Sequence, residues 1–77
     1  MTVLIQLIKH FRKIGELHWL YFNIVDSRDC EYHYDTFIHE LNLDYGIELS
    51  DRQTRRFKAA IDRGNYNIMF ERYKHIA

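Results

Sequence analysis

Cys30 and His33 form a C-x-x-H pair, and His10, His18, His39 and His75 lie elsewhere in the chain. Thiolate and imidazole are zinc ligands, but a structural zinc site takes two spaced pairs and the chain offers one. The same two residue types can act as nucleophile and base. No activating pattern surrounds Cys30, and no glycine-rich phosphate loop or G-x-S-x-G turn occurs. The expectation is a protein without catalytic residues, metal or cofactor. One cysteine cannot form an internal disulfide, which favours a reducing, cytoplasmic location.

A second chemistry is visible in "FIHELNLDYGIELSDRQTRRFKAAI", which reads as a helix, a turn at Gly46 and another helix. That is the length of a helix-turn-helix. Its second helix carries Arg52, Gln53, Arg55, Arg56 and Lys58, residue types suited to phosphates and base edges. Against this nucleic-acid face stand a net charge of zero and an acidic helix before it, where DNA-binding domains carry a basic excess.

The elements that must position these groups follow from composition and periodicity. The 77 residues include no proline and three glycines, which suits one mostly helical domain. Six Tyr, five Phe and one Trp supply the burial that so small a core needs. No apolar run is long enough to span a membrane. Residues 1–14 carry three bases and no acid, residues 15–49 one base and eight acids, and residues 50–77 seven bases and three acids. Pairing between these blocks is the simple expectation, and a surface with faces of opposite sign is the alternative.

Leu4, Leu7, Phe11, Ile14, His18, Tyr21 and Val25 recur at helical spacing and predict one face. Gly15 divides that stretch into an N-terminal helical arm, residues 1–13, and a main unit, residues 14–77. "DSRDCE" reads as a polar loop, and "YHY" and "NIM" as short extended pieces. Asp35 opens a helix that Gly46 ends. Ser50 and Gln53 make a capping box for the next helix, which Gly64 breaks before a last one carrying Phe70, Tyr73 and Ile76. The result is two helix–loop–helix units. A shift of 36 residues aligns Tyr21 with Phe57, Ile24 with Ala60, Val25-Asp26 with Ile61-Asp62, Tyr32 with Ile68, Tyr34 with Phe70 and Phe37 with Tyr73.

This layout resembles an EF-hand pair, the two-hand lobe of the calmodulin and myosin light chain family. The resemblance rests on the repeat spacing, on "LSDRQTRRFKAAID" before the second loop, and on Phe37 and Tyr73 opening the exit helices. It implies an all-α fold, with a two-strand bridge between the loops at Tyr32 and Ile68. The calcium ligands do not match. Loop positions 1 and 12, which need carboxylates, fall on Val25 and Thr36 in one loop and on Ile61 and Arg72 in the other. A start one residue later, at Asp26 and Asp62, puts Phe37 and Tyr73 at position 12, so neither register supplies the closing carboxylate. The resemblance therefore implies a calcium-independent lobe that grips an amphipathic helix of a protein partner. Its groove would draw on Leu20, Ile24, Phe37, Leu41, Ala60, Tyr73 and Ile76. A helix-turn-helix regulator, or a small viral or mobile-element inhibitor of a host protein, is the alternative.

Overall fold

The computed structural model describes residues 2–30 and 33–73, and among these it contains five α-helices and no strand. They are α1 (Val3–Lys13), α2 (Leu17–Asp29), α3 (His33–Tyr45), α4 (Asp51–Asp62) and α5 (Tyr66–Tyr73). The all-α expectation holds.

Helix α1 is apolar on one side, and Leu4, Leu7, Ile8 and Phe11 are buried there. The Thr2 hydroxyl accepts from the Ile5 amide and caps its start. Its end is a Schellman turn, in which the Gly15 N–H donates to the Arg12 carbonyl and the Glu16 N–H to that of Phe11. Gly15 takes φ +76°, which a side chain would resist. α1 packs against α2, α4 and α5. Residues 3–13 are therefore a central part of the core, whereas the sequence suggested a separate arm.

The Gly15 turn also resets the helical phase. Ile14, His18 and Tyr21, expected to continue the α1 stripe, are exposed. α2 buries Leu20, Ile24 and Ser27 instead. That buried stripe, spaced by four and three, runs into "DSRD", so Asp26–Asp29 are helical and form no loop.

α3 buries Tyr34, Phe37 and Leu41 and ends at a left-handed Gly46 with φ +67°. After it, the Ile47 N–H donates back to the Leu41 carbonyl at 3.0 Å. α4 begins with the predicted capping box. The Ser50 hydroxyl accepts from the Gln53 amide at 3.1 Å, and the Gln53 side chain accepts from the Ser50 amide at 2.8 Å. Phe57 and Ile61 face inward. After Gly64, α5 starts at Tyr66 and buries Tyr66 and Phe70, four residues apart.

The rings join the helices. Trp19 stacks on Phe11 with centroids 5.4 Å apart and meets Phe37 at 5.6 Å. Phe37 in turn meets Phe57 at 5.5 Å, which links α2, α3 and α4 in one cluster. Arg28 lies over the Tyr66 ring and beside Gly64, holding the α4–α5 turn against α2.

Two expectations drawn from the EF-hand resemblance are corrected here. No two-strand bridge forms at Ile68, because that residue sits inside α5 with its backbone committed to the helix; Tyr32 lies outside the described residues. The twelve-residue loop windows are instead largely helical, as α2 ends at Asp29 and α3 begins at His33, while α4 ends at Asp62 and α5 begins at Tyr66. The 36-residue repeat carries over to burial at Tyr34 and Phe70 but not in the first helix of each unit. α4 buries Phe57 and Ile61, whose counterparts in α2 are Tyr21 and Val25, but α2 buries Leu20, Ile24 and Ser27. One residue of offset turns a helix by about 100°, so the first helices of the two units present different faces to the core.

Candidate functional site

Of the seven expected groove residues six are described, and these six do not line a common groove. Leu20, Ile24, Phe37 and Leu41 are core, each at most 1% exposed. Ala60 and Tyr73 are half-buried and pack against that core. Ile76 lies outside the described residues. Residues that occupy helix–helix interfaces cannot also offer those surfaces to a partner without opening the fold.

The expected basic face is displayed. Arg52, Arg55 and Arg56 are exposed on successive turns of α4, at the three- and four-residue spacing that places side chains side by side. None of them forms an ion pair among the described residues. The expected pairing of the basic C-terminal block with the acidic middle block is thus missing for these arginines. The other two members of the predicted face are partly used by the fold. Gln53 is exposed but commits its side-chain oxygen to the capping box. Lys58 is half-buried, with Nζ 5.3 Å from the centre of the Tyr34 ring.

Arg63, just past α4, was missed in the sequence. Arg52, Arg56 and Arg63, spaced by four and seven, mark one stripe of α4, and that periodicity was the available signal. Arg56 and Arg63 line a cavity of about 430 Å³ with Thr2, Val3, Leu4, Ala59 and Ala60. No carboxylate borders it.

Of the C-x-x-H pair, Cys30 is a half-buried free thiol just after α2. His33 Nδ1 lies 3.2 Å from the Asp26 carboxylate and 3.3 Å from the Asp26 carbonyl, so its ring is held at the end of α2. Among the described residues, no group of three or more His, Cys, Asp or Glu could hold a metal. Nor is any described helix long and apolar enough to cross a membrane.

Two tyrosines have displaced pKa values. Burial and the neighbouring Asp62 carboxylate, 3.5 Å from the hydroxyl, push Tyr34 up to about 12. Tyr45 is also raised, by burial and then by Glu16, Asp44 and Glu40. Both stay protonated at neutral pH, so neither is an available base.

A second surface feature lies between α2 and α5, where Leu17, His18, Tyr21, Asn67, Phe70 and Glu71 line an open, partly apolar groove. The Tyr21 hydroxyl donates to the Asn67 side-chain oxygen across it. Phe22 and Ile68, on the same two helices, are 69% and 65% exposed. Comparison of the chain with protein-family models, with curated proteins and with solved structures finds no match.

Proposed function

We propose that this chain is a non-catalytic, cytoplasmic binding module that meets nucleic acid through the arginine face of α4. The observation that carries the reading is that Arg52, Arg55 and Arg56 are exposed together with no acidic partner among the described residues. Guanidinium groups left free by the fold can each pair bidentately with a phosphate or a guanine edge. Helix α4 is fixed by its capping box and by Phe57 and Ile61, so the face is presented on a rigid element. The net charge of zero removes long-range attraction. Affinity then depends on these few local contacts.

The test is fluorescence anisotropy of a labelled DNA duplex titrated with the protein between ~50 and ~200 mM salt. Three phosphate contacts give a slope of log K against log salt near about −2.7, and R55Q makes it shallower by about 0.9. Unchanged anisotropy at ~50 mM salt refutes the reading.

The groove between α2 and α5 favours a second reading, the calcium-independent grip on an amphipathic helix that the EF-hand resemblance suggests. Its apolar walls and the exposed Phe22 and Ile68 suit such a helix. In that case F22D and I68D abolish binding of the helical partner, while R55Q leaves it intact.

A further inference from the structure

We propose that the cavity between the first turn of α1 and the C-terminal half of α4 is a phosphate subsite, with Arg56 and Arg63 as its two arms. The proposal deepens the nucleic-acid reading and rests on it for the identity of the occupant, a backbone phosphodiester. The two side chains come from positions seven apart, Arg56 on α4 and Arg63 at its C-cap, and border the same cavity of about 430 Å³. A single phosphate group fills only part of that volume, which leaves room for the sugar attached to it. Neither arginine has an ion-pair partner among the described residues, and no carboxylate lines the cavity to compete with an anion. Ala59 and Ala60 also line it, and their small side chains take up little of the space. The remaining wall is the start of α1, whose first turn contains no acid. Its peptide dipole adds positive potential there and works in the same direction as the guanidiniums. Arg56 belongs both to this subsite and to the exposed face of α4. A strand that crosses α4 can therefore place one phosphate in the cavity and its neighbours against Arg52 and Arg55.

The same chemistry would accept a free phosphate ion, so the experiment separates the two sources. Wild type, R63Q, R56Q and R55Q are titrated with the labelled duplex across the salt series. The arginine Nε–Hε signals are followed by NMR during titration with duplex and, separately, with inorganic phosphate. Circular dichroism and Trp19 fluorescence establish that each variant is folded. The expected result is that R63Q, although outside the main arginine face, weakens duplex binding and makes the salt slope shallower by up to about 0.9, the value for one lost phosphate contact. Duplex shifts the Arg56 and Arg63 Nε–Hε signals in wild type, and R55Q weakens duplex binding without removing these shifts. Duplex binding with a wild-type slope in R63Q and a silent Arg63 signal overturns the subsite and leaves the α4 reading intact. Absence of duplex binding by wild type overturns both. Shifts with inorganic phosphate alone, with none from duplex, overturn the backbone assignment.

Discussion

Replacing Phe37 by alanine tests whether the central aromatic cluster is a core or a binding groove. Phe37 is 1% exposed and meets Trp19 and Phe57 at ring-centroid distances of 5.6 and 5.5 Å. A buried aromatic side chain removes roughly 150–250 Å² from water, worth about 4–6 kcal/mol gross at ~25 cal/mol per Å². Measured Phe→Ala losses in cores run to about 3–5 kcal/mol, because the surroundings partly relax into the cavity. We therefore expect F37A to cost about 4 kcal/mol. A chain of 77 residues has roughly 4–12 kcal/mol in total, so this variant lies close to the edge of folding. F37L, which keeps most of the volume, is expected to cost less than about 1.5 kcal/mol. Phe22 is the control: at 69% exposure, F22A should change stability by no more than about 0.5 kcal/mol. The assay is urea unfolding followed by far-UV circular dichroism and by fluorescence of Trp19, whose ring is stacked on Phe11 and changes environment on unfolding. Equal losses for F37A and F22A, or a loss below about 1 kcal/mol for F37A, would refute the assignment of Phe37 to the core.

The other predictions concern the start of α4 and the buried tyrosine. S50A removes the hydroxyl that accepts from the Gln53 amide and should destabilise the protein by about 1 kcal/mol. In native-state hydrogen exchange, the amides of the first turn of α4 should lose protection before those around Phe57. Uniform loss of protection along the helix would contradict a local capping role. Tyr34 ionises at a higher pH in the fold than in the unfolded chain, since its ordinary value of 10.0 is pushed up to about 12. Between those values the native state holds the extra proton, so stability is intact below pH 10 and falls as pH rises toward 12. The slope from this one group is at most about 1.4 kcal/mol per pH unit. Urea midpoints measured from pH 9 to pH 11 should fall less steeply for Y34F; identical slopes would remove the claim that burial and Asp62 hold the proton on.

Sequence by itself determined the local features whose cause lies within a few residues. The Ser50–Gln53 capping box, the left-handed Gly46 at the end of α3, the breaks at Gly15 and Gly64, and the stripe of Leu4, Leu7 and Phe11 all appear where patterning placed them. Each is a matter of backbone torsion, capping hydrogen bonds or helical period, and needs no partner to be recognised. The exposed arginines of α4 were legible for the same reason, since the opposite face of that helix is marked by Phe57 and Ile61. Tertiary structure alone decided how the helices use their wider apolar arcs. α2 has apolar residues on several sides, and contact with α1, α3 and α4 selects Leu20, Ile24 and Ser27 as the buried set. The same packing extends α2 through Asp26–Asp29 and draws "NIM" into α5, because tertiary contacts add to weak local preference. Only the folded chain could join Arg56 and Arg63 to the start of α1, since that cavity depends on where two helices far apart in sequence meet.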